Sequence, residues 1–223
     1  MSAGSAFILS VSGLAREAAI AAGPGVRTLA AGGARLPALI ETAIAEGAAG
    51  ILSFGIAGGL DPTLPPGMAI LATAVVAGGE HWAADAAWRD RLRARLPGAI
   101  LGDLAGVDRP AMSRADKYAL ASATGALAVD MESHIAARLA AAHGLPFAAL
   151  RVICDPAGRA IPPAAVAGMR EDGGTDLGAI LGALLRSPGQ LPAMMRLAGD
   201  ARIAFGVLAR CQRAVSQPGL LPE

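Results

Sequence analysis

The sequence is poor in aromatic residues and in cysteine. Aromatic side chains make up 3% of the 223 residues, whereas 54% of the residues are apolar, so the core must be built from Ala, Val, Leu and Ile. The two cysteines, Cys154 and Cys211, have no CxxC neighbour and are too few for a disulfide framework. We therefore expect a protein of the reducing cytoplasm whose fold depends on a hydrophobic core.

The sequence also lacks a strong excess of either charge and a long apolar run. Its formal net charge is +1, and no basic stripe is interleaved with aromatic residues, which argues against a nucleic acid partner. No apolar run reaches the roughly 20 residues needed to cross a bilayer. Residues 1–12 lack the basic region and apolar core of a signal peptide. The three histidines lack ligand spacing with Cys, Asp or Glu, so we expect no metal site.

The length and the alternation of short apolar runs with helical patterns indicate an α/β fold. We expect one domain over residues 1–223, with three layers (αβα) around a mixed, twisted central sheet. The predicted strands are Ala6–Ser12, Val26–Ala31, Ile51–Phe54, Met68–Ala77, Ala99–Val107 and Phe147–Ile153, with Glu80-His81-Trp82 ending the fourth. The main predicted helices are Asp85–Leu96, Ser113–Thr124, Asp130–His143, Leu177–Leu185 and Leu191–Arg213.

Two carboxylates are expected at one edge of this sheet. The predicted helix Asp130–His143 opens on acidic residues, including Glu132, and ends before Gly144. Asp155 follows the buried strand at its carboxyl end. Ligands of open α/β sheets bind in the crevice beyond the strand ends. The sequence therefore predicts a site that contains Glu132 and Asp155.

A glycine-rich stretch, Gly55–Leu60, is the second candidate for ligand contact. It matches neither GxGxxG nor GxxxxGK(S/T), and it runs into Asp61-Pro62 and a further strand instead of opening a helix. We expect these glycines to lie between two strands and to let the backbone approach a flat ligand.

Three stretches resemble a known family. Val129-Asp130-Met131-Glu132 corresponds to a (V/F)-E-M-E motif, Leu150–Asp155 to V-R-x-I-S-D, and Phe54–Leu60 to T-G-S-A-G-G-L. In this order and spacing they resemble the purine/uridine nucleoside phosphorylase superfamily, in particular its methylthioadenosine/S-adenosylhomocysteine nucleosidase branch. The resemblance implies an enzyme that cleaves the N-glycosidic bond of a purine nucleoside.

The resemblance also implies a role for each matching residue. Asp155 would be the acid at purine N7, and Glu132 would accept hydrogen bonds from the ribose hydroxyls. The other implied site residues are Met131 against the sugar, Ala57 and Gly58 on the cavity floor, and Arg151 and Cys154 beside the acid.

The nucleophile is left open by the sequence. Phosphorolytic relatives begin with G-D-P-x-R, whose arginine holds phosphate, and nucleosidases begin with G-A-M-E-E-E, whose last glutamate activates water. Here Gly13 is followed by Arg16 and Glu17, each one place from the corresponding slot. Inorganic phosphate and water are both candidate co-substrates, and no other cofactor is expected. A third interpretation makes Arg16 and Glu17 solvated helix residues.

A narrower resemblance concerns the substrate. The stretches Ser53–Pro62, Ala128–His134 and Cys154–Pro156 are similar to the hopanoid-biosynthesis-associated phosphorylases. This implies release of adenine from adenosylhopane. A methylthioadenosine/S-adenosylhomocysteine nucleosidase and a non-catalytic nucleoside-binding protein are the alternatives.

The last predicted helix, Leu191–Arg213, is amphipathic. Its apolar residues follow one side and its arginines lie elsewhere, which is typical of a helix that packs on the core or on a second subunit. A basic amphipathic helix can also lie on a membrane surface. We expect a cytoplasmic homo-oligomer, with peripheral contact at the inner membrane as a further hypothesis.

Overall fold

The fold is built on one mixed β-sheet with helices on both faces. The computed structural model describes residues 6–168, 170 and 172–215. In those residues the strands are Phe7–Ser12 (β1), Val26–Ala30 (β2), Ala48–Gly59 (β3), Ala69–Ala77 (β4), Glu80–Ala83 (β5), Ile100–Gly106 (β6), Ala128–Asp130 (β7) and Phe147–Asp155 (β8). The α-helices are Ala15–Ala21 (α1), Leu36–Ala45 (α2), Ala86–Arg95 (α3), Arg114–Thr124 (α4), Ser133–Ala142 (α5), Pro163–Ala167 (α6), Leu177–Arg186 (α7) and Leu191–Val215 (α8).

The sheet contains a closed ring of strands. β1 pairs in parallel with β2 and β3, and β8 lies between β3, which is parallel to it, and β4, which is antiparallel. β4 continues in parallel to β6 and β6 to β7, and β7 returns antiparallel to the end of β3. The predicted α/β fold with a central mixed sheet is confirmed, and the ring β3–β8–β4–β6–β7 is a feature that the sequence did not indicate.

Apolar side chains form a core on each face of the sheet. On one face α2 and α5 contribute Leu36, Ile40 and Ala136, and on the other α3 and α8 contribute Trp88 and Leu208. Every side chain of β8 is buried, as expected for a strand covered on both faces. Helices on both faces of the sheet give the predicted three layers.

The prediction that Gly55–Leu60 is a connection between strands was wrong. Residues 55–59 form the second half of β3, where they pair with β8 and β7. Two partner strands supply ladder hydrogen bonds that outweigh the low strand propensity of glycine. A Cβ atom on Gly55 would lie 2.6 Å from both Nη1 of Arg151 and Oε1 of Glu17. This glycine therefore makes room for two buried charged side chains.

The predicted helix start at Asp130 was also wrong. Asp130 is the last residue of β7, and its Oδ1 accepts hydrogen bonds from the backbone N–H groups of Glu132 (2.9 Å) and Ser133 (2.7 Å). The carboxylate thus caps α5 from outside the helix, which begins at Ser133. The chain turns after α5 at Gly144, whose φ is +64°, as its sequence position predicted.

The prediction that residues 80–82 end the fourth strand was also wrong, because these residues form a separate strand. Gly78 and Gly79 both have positive φ values and form a two-residue turn, after which β5 pairs antiparallel with β4. Such a turn matches the right-handed twist of two hairpin strands. His81 therefore belongs to a strand of its own.

The apolar side of α8 packs on its own chain, against β8 and α1. Leu208 and Phe205 are buried there, so the core interpretation of this face is correct. Within the part of the chain that the structure describes, no helix is long and apolar enough to span a membrane.

Candidate active site

The carboxyl ends of β1, β3, β7 and β8 open onto one cavity of about 450 Å³. Its polar lining includes Glu17, Glu132 and Asp155. Its apolar lining includes side chains from the three helices that follow β8, namely Ala165, Val166, Ile180, Met194, Leu197, Ala198, Ala201 and Phe205. This is the crevice that the strand-end argument predicted.

The structure brings most of the predicted site residues together. The predicted residues that line the cavity are Gly13, Glu17, Ala57, Gly58, Met131, Glu132, Cys154 and Asp155. Arg151 lies behind this lining and is fully buried. Arg16 is exposed and is not part of the cavity lining, and its guanidinium carbon lies 4.2 Å from the ring centroid of Phe205, which does line the cavity.

Arg151 is the centre of a buried ionic cluster. Its Nε lies 3.2 Å from Oδ2 of Asp130, and its Nη2 lies 3.3 Å from Oε2 of Glu132. Nη2 also donates to Oγ of Ser53 at 2.7 Å. A buried guanidinium is tolerated only where carboxylates and hydrogen bonds compensate its lost hydration. The cluster therefore fixes Asp130 and Glu132 relative to β3.

Glu17 turns back from the start of α1 and reaches the cavity. Its Oε2 accepts hydrogen bonds from the N–H groups of Gly13 (3.0 Å) and Leu14 (2.9 Å), and its Oε1 accepts one from Ile56 (2.7 Å). Burial raises the pKa of Glu17, while the charge of Arg151 and these N–H groups act in the opposite direction. A carboxyl group with a raised pKa at the edge of a cavity is suited to take a proton from a bound water.

Glu132 shares the negative charge of this cluster. Burial, followed by the neighbouring carboxylates of Asp130 and Glu17, raises the pKa of Glu132 to about 8 against the opposing charge of Arg151. Two carboxyl groups close to one guanidinium cannot both ionise as easily as either would alone. The carboxyl groups of the unliganded site are therefore partly protonated near neutral pH.

Asp155 is held by a residue that the sequence analysis missed. The ammonium group of Lys117, on α4, lies 2.5 Å from Oδ2 of Asp155, and only 1% of the Lys117 side chain is exposed. Burial raises the pKa of Asp155, and Lys117 lowers it. Gly58 lies so close that a Cβ atom there would be 3.1 Å from Oδ2. One signal did exist in the sequence, because Lys117 is its only lysine.

Cys154 is not arranged as a nucleophile. Burial, and then the charge of Asp155, raises the pKa of the Cys154 thiol to about 12. Two histidines have partners elsewhere, His134 with Asp108 and His143 with Glu41. Since the thiolate is the reactive form, Cys154 is a packing residue beside Asp155.

The loop after β6 contributes apolar residues to the cavity. Pro110 lines the cavity beside Val107 and Ala111, whereas Arg109 is exposed. In residues 6–168, 170 and 172–215, no group of three or more His, Cys, Asp or Glu side chains is placed to hold a metal ion.

Comparisons with known proteins identify the family of this chain. A model described as the phosphorylase superfamily matches residues 14–186. No curated protein sequence matches the chain. Among solved structures, the futalosine hydrolase of Helicobacter pylori strain 26695 superposes with a TM-score of 0.68 at 16% identity, covering 94% of this chain and 96% of the hydrolase.

Two nucleosidases give similar superpositions. The S-adenosylhomocysteine nucleosidase of Streptococcus pyogenes has a TM-score of 0.68 at 15% identity, covering 96% of this chain and 97% of that one. The 5'-methylthioadenosine/S-adenosyl homocysteine nucleosidase of Helicobacter pylori has a TM-score of 0.64 at 17% identity, covering 93% and 98%. At such identities these structures establish the fold. Because the family model spans most of the chain, the protein belongs to the phosphorylase superfamily and is an enzyme of its nucleosidase and phosphorylase type.

Proposed function

We propose that the protein cleaves the N-glycosidic bond of a purine nucleoside with water as the acceptor. The observation that carries this proposal is the convergence of four acidic residues on one cavity, namely Glu17, Glu132 and Asp155 together with Asp130. Solved structures that share its fold are named as a futalosine hydrolase and as nucleosidases, which agrees with hydrolysis of a nucleoside.

Two of the carboxyl groups suit the two halves of a nucleoside. Cleavage passes through a cationic, oxocarbenium-like ribose and a departing purine anion. Asp155 would donate a proton to the leaving base, a step commonly worth about 100- to 10,000-fold in rate. Glu132, beside Met131, would accept hydrogen bonds from the ribose hydroxyls and favour positive charge on the ring.

Charge favours water over phosphate as the nucleophile. Three carboxyl groups, those of Glu17, Asp130 and Glu132, surround the single guanidinium of Arg151. A phosphate dianion would add negative charge beside carboxyl groups that already oppose one another's ionisation. Arg16, the candidate phosphate ligand, would have to leave the Phe205 ring to reach the cavity. A neutral water beside Glu17 meets neither obstacle.

For the substrate we propose adenosylhopane. The apolar lining that α6, α7 and α8 contribute fits a large apolar 5′ substituent on the ribose. Methylthioadenosine and S-adenosylhomocysteine, whose 5′ groups are smaller or more polar, are the alternative substrates. The adenine base itself is proposed from the resemblance of the sequence motifs.

The test is the release of adenine from adenosylhopane and from methylthioadenosine, each with and without phosphate, with mass spectrometry of the sugar product. We expect phosphate-independent release from adenosylhopane and a ribosyl product without phosphate. A phosphorylated product would instead establish phosphorolysis. Binding of both nucleosides without release of adenine would contradict the proposed reaction. In the Asp155→Asn variant we expect lost turnover and retained binding.

We further propose that α7 and α8 contact an anionic membrane surface, which would place the protein in the cytoplasm at the periphery of the inner membrane. α7 has no buried residue, and its Leu177, Leu181 and Leu185 are 73%, 59% and 76% exposed at a four-residue spacing. The neighbouring α8 carries exposed arginines at positions 196, 202, 210 and 213. Apolar and basic residues together favour anionic lipid, and the same two helices line the cavity that a lipid-like substrate would enter.

Co-sedimentation with vesicles of anionic phospholipid at low salt tests this contact. We expect binding to anionic vesicles, weaker binding to neutral ones, and loss of binding in the Leu181→Ser, Leu185→Ser double variant. Tyr118→Ser, which removes an equally exposed side chain from α4, is the matched control. If the double variant changes the molar mass in light scattering without changing vesicle binding, α7 is instead the interface of the expected homo-oligomer.

A further inference from the structure

Lys117 is a buried charge with four acceptors. Its Nζ donates to Oδ2 of Asp155 at 2.5 Å and lies 3.1 Å from the carbonyl oxygens of Asp155, Pro156 and Arg159. Its side chain is 1% exposed and does not line the cavity. The group therefore acts on the cavity only through Asp155 and the chain that follows it.

The residue type at position 117 is informative. The chain has 19 Lys and Arg residues in total, and Lys117 is the only lysine among them. A guanidinium is planar and directs its donors as a fork, whereas an ammonium is a compact point charge that donates toward several directions. The three N–H donors of an ammonium diverge from one atom and can be shared among these four surrounding acceptors, whereas a planar fork would direct its donors to one side.

We propose that Lys117 is a positioning residue that directs the proton of Asp155 toward the substrate base. A carboxyl group that accepts a hydrogen bond on Oδ2 carries its proton on Oδ1. Lys117 thereby leaves Asp155 with one donor atom in one orientation. This inference rests on the proposed function, in which Asp155 is the acid.

The same contact favours the transfer itself. When the O–H bond of Asp155 breaks, its proton forms an N–H bond on the base, and the electron pair of the C1′–N bond moves to the base. Water supplies the new C1′–O bond and gives its proton to Glu17. Asp155 is left as a carboxylate beside the Lys117 ammonium, a pair that a buried site stabilises far more than bulk water does. Solvent exchange then returns the proton from Glu17 to Asp155.

Several charged or titratable groups around Asp155 influence its pKa and therefore the pH dependence of kcat. Lys117 faces it from α4, Asp200 from α8, and the thiol of Cys154 from its own strand. A second cavity of about 300 Å³ also adjoins Asp155 and is lined by Arg114, Arg159 and Arg196. Arg159 is paired with Asp200, so these two charges largely offset each other. Lys117 is therefore the cation whose removal should move the titration of Asp155 most.

The test compares Lys117→Met with Arg138→Met, which removes one exposed positive charge from α5. For Lys117→Met we expect kcat about 100-fold lower, nearly unchanged KM, and a basic limb of the kcat profile that moves to higher pH. The limb moves upward because loss of the ammonium raises the pKa of Asp155. Lys117→Arg should not restore kcat. A Lys117→Met protein with a lower melting temperature but an unchanged kcat and pH profile would overturn the proposal.

A second measurement remains decisive if Lys117→Met does not fold. Selective ¹³Cε labelling of lysine gives one resonance in this chain, and its shift should follow the ionisation of Asp155 in the unmodified sequence. This pH-dependent change of the chemical shift should disappear in Asp155→Asn. A resonance whose pH dependence is the same in both proteins would overturn the proposal. If the coupling is present but the unmodified protein releases no adenine, the proposed function fails while the positioning of Asp155 stands.

Discussion

Gly13 and Glu132 are packed so closely that a Cβ atom on Gly13 would lie 2.5 Å from Oε1 of Glu132. Gly13 follows β1, at the point where the chain turns into α1, and Glu132 follows β7. Real Cβ atoms do not approach other heavy atoms to this distance, so the glutamate can occupy its position only beside a glycine. The absence of a side chain at Gly13, after β1, thus leaves the space that the carboxylate of Glu132, after β7, occupies.

Gly13→Ala should therefore displace Glu132 and lower kcat/KM without unfolding the protein. Displacement of a substrate-positioning group by about 1 Å can lower the rate by about 100-fold, and we expect a loss of 10- to 100-fold. Gly32→Ala is the matched control, because a Cβ atom there would meet nothing within 4 Å. Steady-state kinetics and circular dichroism of both variants check the prediction, and equal kinetics in the two would contradict it.

Glu17→Gln should lower kcat by about 100- to 10,000-fold, because an amide cannot take a proton from water. In the unmodified protein, activity should rise with pH through the pKa of Glu17, which burial places above its ordinary value of 4.5. The acidic limb of the pH profile should therefore disappear in the variant. Glu46→Gln, which alters an exposed glutamate at the end of α2, should leave both kcat and the limb unchanged.

The stability of the unliganded protein should depend on pH through Glu132. Its pKa is about 8 in the folded chain and near 4.5 in the unfolded chain, so the unfolded state loses this proton first as the pH rises. The contribution of Glu132 is fully present below pH 4.5 and is lost as the pH rises through 8, with a slope of up to about 1.4 kcal/mol per pH unit.

Urea unfolding of the unmodified protein and of Glu132→Gln between pH 5 and pH 8 measures this slope. The glutamine cannot ionise, so the difference in unfolding free energy should shift in favour of the variant as the pH rises. Asp155 titrates in both proteins and cancels in the difference, whereas Glu17 is coupled to Glu132, so the difference reports on that pair. Parallel stability curves across this range would show that Glu132 ionises at its ordinary pKa.

The approach of Glu132 and Asp155 to one cavity was predicted from the sequence, because Asp155 stands at the carboxyl end of a buried strand, Glu132 stands near the start of a helix, and ligands bind beyond the strand ends. The short strand β7, which precedes Glu132, was not predicted. The choice between Arg16 and Glu17 was not predicted either. Adjacent residues on a helix point about 100° apart, so only one of them can face the cavity, and the direction of α1 depends on how it packs. In the structure Glu17 faces the cavity and Arg16 faces Phe205.

Lys117 and the strand Gly55–Gly59 show a second limit of sequence reasoning. Lys117 lies on α4, 38 residues before Asp155, and its helix has an ordinary amphipathic pattern. The glycines have low strand propensity, and only the pairing of β3 with both β7 and β8 makes them a strand. Both features depend on contacts between distant segments, which local patterns do not contain.

The apolar lining of α8 should determine which 5′ substituent is accepted. Ala201 contributes a small side chain to the cavity, and Ala201→Phe would fill part of the space that a large apolar group needs. We expect kcat/KM for adenosylhopane to fall by at least about 10-fold, since hydrophobic pockets discriminate by about 1–3 kcal/mol per methylene. Methylthioadenosine, whose 5′ group is small, should be cleaved at a nearly unchanged rate.

The control for this substitution is Gly199→Phe, which adds the same side chain to the exposed side of α8, where a Cβ atom would meet nothing within 4 Å. Comparing the ratio of kcat/KM for the two nucleosides cancels any general loss of folded protein, because both substrates are assayed on one preparation. If Ala201→Phe lowers both substrates equally, the ring disturbs Asp155 or Glu132 instead of the 5′ subsite. If it lowers neither, the 5′ substituent leaves the cavity along α6 or α7, and Val166 and Ile180 become the positions to enlarge next.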